Sequence, residues 1–157
     1  MIKIMFVCHG NICRSPMAEF VMKHLIEKEG LSDKISVFSS ATSDEEICRG
    51  VGNPIYPPAA RELSFRNIPF TERRAVKLSP LDAAKYDMFV GMDSANIRNM
   101  HRILGSAAEN KISRLMDYTK RRGADVKDPW YSGNFSLAFD DIYDGCTGLL
   151  SYLKGNL

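Results

Sequence analysis

Near the start of the chain a cysteine is followed, five residues on, by an arginine, in the string Cys8-His9-Gly10-Asn11-Ile12-Cys13-Arg14-Ser15. With four cysteines and eleven arginines among 157 residues, about 0.3 such spacings arise by chance, so the pair alone says little. The residues between them say more. Gly10 and Asn11 both tolerate the left-handed backbone of a tight turn. Successive N–H groups in such a turn form a nest for a tetrahedral oxyanion. The same field favours a thiolate at Cys8, and the fork of Arg14 suits two phosphoryl oxygens. The string has one glycine and no Gly-Lys step, so neither the nucleotide P-loop nor the dinucleotide fingerprint fits. The chemistry it suits is local binding of a tetrahedral oxyanion beside a stabilised thiolate.

Such a loop needs a strand to end in it and a helix to start from it. Residues 2 to 7, apolar except for Lys3, predict a buried strand running straight into the loop. Ser15-Pro16 predicts a helix start, with serine capping and proline in the first turn, and Gly30 a stop. Met17, Phe20, Val21, His24 and Leu25 share one face of that helix. Ile35–Phe38 reads as a second strand, residues 39–58 as loop, and residues 58–65 as a short helix. Tyr86–Met92 reads as a third strand, with Asp93-Ser94 starting a helix that carries Ile97, Met100 and Leu104. A further strand precedes a last helix with the stripe Phe139, Ile142, Cys146, Leu149, Leu150 and Leu153, in which Gly145 and Gly148 lower helix propensity. This alternation predicts one α/β domain over residues 1–157: a doubly wound parallel sheet of about four strands with helices on both faces. In that architecture ligands bind beyond the carboxyl ends of the strands, where Cys8 falls.

Composition narrows the partners. A formal charge of +2 gives no broad field for nucleic acid or an anionic membrane, so any anion must be bound locally. The four cysteines are too sparse for a disulfide framework, and the run Ile4–Val7 is too short for a signal peptide or a membrane span. The expectation is a cytoplasmic protein in a reducing compartment. Cys8 and Cys13 lack a second ligand pair at metal spacing among Cys48, Cys146 and the three histidines, so no metal or other cofactor is expected.

From Val7 to Glu19 the chain closely resembles the signature of the low-molecular-weight protein tyrosine phosphatases. Asp128-Pro129, with Trp130, Tyr131, Gly133 and Asn134 behind it, resembles the family's second motif. Ser40 within Ser39–Ser43, and Met92-Asp93-Ser94-Ala95-Asn96, also match family positions, so the resemblance covers essentially the whole chain. It implies a metal-independent phosphomonoester hydrolase acting on a phosphotyrosine-bearing protein or a small phosphate ester. On that resemblance Cys8 is the nucleophile, forming a phosphocysteine, and Arg14 binds the phosphate with the N–H groups of His9, Gly10, Asn11, Ile12 and Cys13. Asp128 is the general acid and then the base for water. Ser15 bonds the thiolate, Asn11 and Ser40 hold the loop, and Trp130 with Tyr131 forms the rim for the phosphotyrosine ring. Cys13 resembles a guard cysteine that can form a reversible disulfide with the nucleophile.

Two features depart from the pattern. Arg73 stands where many relatives carry a histidine that braces the loop, and Glu45–Pro58 is longer than usual, with Glu45 near a position often held by an aromatic. Two other readings stay open: arsenate reduction on the same fold, and a non-catalytic oxyanion-binding or redox-sensing module. The first resembles a cascade through cysteines in residues 78–92, where this chain has none. The second has no use for a leaving-group acid at Asp128. A monomer or a weak homodimer is expected.

Overall fold

The computed structural model describes residues 1–157. Its main elements are β1 (Ile2–Cys8), α1 (Arg14–Lys28), β2 (Ile35–Ala41), β3 (Ile47–Cys48), β4 (Val51–Gly52), α2 (Pro57–Phe65), β5 (Met88–Gly91), α3 (Ser94–Leu104), β6 (Ile112–Arg114), α4 (Pro129–Ser132) and α5 (Phe135–Lys154). Four strands form one sheet in the order β2-β1-β5-β6, all parallel. The doubly wound expectation holds. Residues of β1 alternate between two cores: Ile4, Phe6 and Cys8 pack with α1 and α5, while Met5 and Val7 pack with Phe89 and with Met100 and Leu104 of α3. A strand covered on both faces must be apolar throughout, which is why Ile4–Val7 shows no alternation. Burying a side chain such as Phe6 or Phe89 contributes about 1.5–3 kcal/mol relative to leaving it in water.

From β1 the chain first builds β2 on one side and then crosses to β5 on the other, so the carboxyl end of β1 lies at the point where the strand order switches. The loop Cys8–Ser15 occupies that place. The helix after it starts two residues earlier than expected, at Arg14, and Cys13 in the cap position makes no side-chain cap. Ser15 does not cap, because its hydroxyl is engaged with Cys8.

The stretch expected as loop from 39 to 58 is more structured. β2 continues through Ser39 and Ser40 to Ala41. Antiparallel β3 and β4 form a hairpin whose turn residues, Arg49 and Gly50, have φ of 53° and 77°, the twist that a two-residue hairpin connection favours. Strands of two residues leave no periodic signal, so the hairpin escapes pattern reading. It lies flat on the segment that follows α2: a Cβ on Gly52 would stand 1.9 Å from the Ala75 carbonyl oxygen. No helix is long and apolar enough to cross a membrane.

Candidate active site

Asn11 sets the shape of the loop. Of the two residues expected in the left-handed region, Asn11 takes it, with φ of 60°, and Gly10 does not. Asn11 is fully buried and its side chain is used at both ends. Its Nδ2 donates to Ser15 Oγ at 2.8 Å, and its Oδ1 accepts from the Val76 N–H at 3.1 Å and from Arg73 Nη2. Arg73 Nη1 also donates to the Asn11 carbonyl oxygen at 2.6 Å. Arg73 is thus a brace, which sequence reading did not foresee. Burial pulls its guanidinium below the usual arginine range, while nearby Glu19 and Cys8 oppose that shift.

Ser40 does not fill the supporting place expected of it. Its hydroxyl is buried without a hydrogen-bond partner, as is that of Thr42. The Asn11 oxygen that a serine hydroxyl could have served is already taken by the long, forked Arg73 and by Val76.

This bracing brings three donors onto one sulfur. Cys8 Sγ accepts from the N–H groups of Asn11 at 3.3 Å and Ser15 at 3.4 Å. Ser15 Oγ lies 3.0 Å away, and when the sulfur is a thiolate, which can only accept, the hydroxyl is the donor between them. Donors converging on a sulfur at a helix N-terminus stabilise its anionic form. The N–H groups of His9, Gly10, Ile12 and Cys13 donate to no acceptor within the protein. Ile12 and Cys13 are buried, and buried amides rarely go unpaired unless they serve a ligand or water; with the half-buried Gly10 and exposed His9 beside them, the run of free N–H groups in a turn suits an oxyanion. Cys13 lines the same cavity but differs in character: burial, then the neighbouring Cys8 and Asp128, push its thiol far above the ordinary cysteine range, and Arg14 offsets this only partly. All four cysteines are free thiols.

Arg14 is almost wholly buried. Its Nη1 donates to Asp93 Oδ2 at 2.7 Å and to the Val126 carbonyl at 2.8 Å, and its Nη2 reaches Asp128 Oδ2 at 3.4 Å. Burial works against this charge, but Cys8, Asp93 and Asp128 outweigh it and hold the guanidinium above its usual range. Asp93 is a site residue to which the sequence assigns a helix start and a family position but no role. It caps α3 in a reciprocal box with Asn96 and still has an oxygen for Arg14. The signal was there in Asp93-Ser94-Ala95-Asn96 directly after a central strand, but a capping box alone does not say what else the carboxylate holds.

Asp128 caps the single turn α4, accepting from the Trp130 N–H at 3.0 Å through Oδ1. Trp130 and Tyr131 stand at the cavity mouth, half and largely exposed. Trp130 packs on Tyr56 at 4.7 Å between ring centroids, and the Tyr56 N–H donates to the Ile12 carbonyl, so rim and loop share an anchor that sequence reading missed. Glu45 and Glu46 form the opposite wall, with Glu45 hydrogen-bonded to His9 Nε2 at 3.0 Å. The cavity enclosed between these walls is about 110 Å³. It brings together the expected Cys8, His9, Gly10, Ile12, Cys13 and Arg14 with Asp128, Trp130 and Tyr131, while Asn11, Ser15 and Ser40 do not line it.

Known proteins resemble this chain in sequence and fold. A family model for low molecular weight phosphotyrosine protein phosphatases matches residues 3–157. The low molecular weight protein-tyrosine-phosphatase YfkJ of Bacillus subtilis is 37% identical over 155 residues, covering 98% of this chain and 97% of that protein. PtpA of Staphylococcus epidermidis, of the same description, is 31% identical over 153 residues, covering 98% and 94%. The crystal structure of YfkJ superposes with a TM-score of 0.92 at 35% identity, over 99% of this chain and 96% of that one. A match that runs nearly end to end in both sequence and fold places the chain in the low-molecular-weight protein tyrosine phosphatase family, a class of cysteine-based enzymes.

Proposed function

We propose that Cys8 is the nucleophile of this phosphatase, that Arg14 and the loop amides hold the transferring phosphoryl group, and that Asp128 is the proton donor and acceptor. The observation that carries the reading is the sulfur at the end of β1 with three donors converging on it. In the first step the Cys8 sulfur bonds to phosphorus and the bond to the aryl oxygen breaks, while Asp128 gives that oxygen its proton. In the second, Asp128 takes a proton from water, whose oxygen attacks phosphorus and expels the thiolate. No metal enters either step. Positive charge comes from Arg14, aimed where charge develops on the equatorial oxygens.

The hydrogen bonds of Arg14 refine its role. Both N–H bonds of Nη1 are used by Asp93 and Val126, so the edge offered to phosphate is Nε with Nη2. The contact from Nη2 to Asp128, 3.4 Å, is the longest that Arg14 makes and the one a phosphate oxygen replaces. Ser15 and Asn11 support the thiolate, and Trp130 and Tyr131 flank the aryl ring of a phosphotyrosine side chain. The substrates are phosphotyrosine-bearing proteins, and the 157 residues act as one domain, as a monomer or weak homodimer in a reducing cytoplasm, a reading that four free thiols support.

The test is an assay on phosphotyrosine peptides, phosphoarginine and small aryl phosphates in the presence of EDTA. Hydrolysis of phosphotyrosine persists in the chelator, and Cys8→Ser abolishes turnover while the melting curve stays cooperative. Undiminished turnover in that variant excludes the mechanism.

A further inference from the structure

Asp128 ends a segment, residues 119–128, that contains neither helix nor strand, so its position depends on whatever ties that segment down. One tie is at Val126: its N–H donates to the Met92 carbonyl at 2.8 Å and its carbonyl accepts from Arg14. A second lies just upstream and uses Arg114, the last residue of β6. Its Nη1 sits 2.9 Å from the Gly123 carbonyl, 2.8 Å from Asp125 Oδ1 and 2.9 Å from Ser94 Oγ. The Ser94 N–H, in the first turn of α3, donates to the same Asp125 oxygen at 3.1 Å. Next to Ser94 stands Asp93, which holds Arg14.

The two arginines therefore tie neighbouring parts of one short stretch, Arg14 from the start of α1 and Arg114 from the end of β6. Arg14 grips it at Val126 and Arg114 at Gly123 and Asp125. Arg114 is mostly buried, its Nε is buried with no partner, and its hydrogen bonds are all made by Nη1. Removing it leaves Val126 pinned but frees the peptide before it, which loosens Asp128 without detaching it. A proton donor displaced by a fraction of an ångström loses rate steeply, because proton transfer needs a defined distance to the leaving oxygen.

We propose that Arg114 is a positioning residue for proton transfer, acting through Asp125 to set where Asp128 meets the leaving group. The proposal rests on the reading of Asp128 as general acid, and the experiment separates the two. The kcat/KM values for phenyl phosphate, whose leaving group needs a proton, and p-nitrophenyl phosphate, whose leaving group departs readily without one, are compared in Arg114→Ala, Asp125→Ala, Asp128→Asn and Arg114→Ala/Asp128→Asn. Asp125 is half-exposed, so its variant keeps the test alive if Arg114→Ala does not fold. Arg114→Ala and Asp125→Ala should each lose about tenfold on phenyl phosphate and less than about threefold on p-nitrophenyl phosphate, in the same sense as a larger effect in Asp128→Asn. The double variant should lose no more on phenyl phosphate than Asp128→Asn alone. Equal losses on both substrates, or no loss on either, in both clamp variants while Asp128→Asn discriminates between them would overturn the clamp and leave the acid standing. An Asp128→Asn variant that treats the two substrates alike would overturn both.

Discussion

Asn11 concentrates in one side chain what the loop requires: a left-handed backbone, a donor for Ser15, and an acceptor for Arg73 and Val76. Ser15 in turn bonds Cys8 rather than capping the helix. The fork of Arg73 reaches both the carbonyl and the side-chain oxygen of Asn11, which a single ammonium group cannot match in geometry. Arg73→Lys is therefore expected to lower kcat/KM on aryl phosphates by about tenfold, as one hydrogen bond to a buried group, worth about 1.5–3 kcal/mol when charged, is lost. Steady-state kinetics with a parallel thermal melt checks it, and an unchanged kcat/KM would show that the brace is dispensable. Residue type and spacing pointed to Cys8 and Arg14, the family resemblance alone to Asp128, and all three line one cavity. Arg73 was visible only as a departure, because nothing local marks an arginine 62 residues from its partner. Ser40 was expected to bond within the loop network, yet its hydroxyl has no partner.

Among the elements, β1, the loop and α1 could be read because an unbroken apolar strand, a glycine-containing turn and Pro16 each have a local physical cause. The hairpin β3–β4 could not, and it forms part of the wall that carries Glu45 and Glu46 close to the cavity. Helix α5 shows a different limit. Gly145 and Gly148 lower helix propensity, but they let α5 lie directly against the short turn Leu115–Tyr118: a Cβ on Gly148 would stand 2.0 Å from the Tyr118 carbonyl oxygen, and one on Gly145 2.4 Å from Leu115 Cγ. Propensity and packing here have opposite signs. Gly148→Ala gains up to about 1 kcal/mol of helix propensity, yet backbone overlap forces the helix away, so a net destabilisation of about 1–3 kcal/mol is expected. Calorimetry should show the melting temperature falling by roughly 3–10 °C. A rise would mean that α5 shifts without cost.

At the scale of the molecule, a charge of +2 supplies no general attraction for a phosphorylated partner. Attraction is local, made by unpaired amides, the N-terminus of α1 and the buried Arg14, and the sheet's switch point is where these meet. The parallel sheet and its two cores followed from the order of apolar runs, whereas the ties that close the site span large sequence separations, such as Arg14 to Val126 or Asp125 to Ser94. Such ties leave no periodicity to read. The central claim is that phosphate passes through Cys8, and rapid acid quenching during turnover of an aryl phosphate, followed by mass spectrometry of the digested protein, tests it most directly. A phosphoryl group is expected on the peptide carrying Cys8, and none on the corresponding peptide of Cys8→Ala mixed with the same substrate. Steady turnover by the wild-type enzyme with no phosphorylated peptide at any quench time, together with activity remaining in Cys8→Ser, would contradict it.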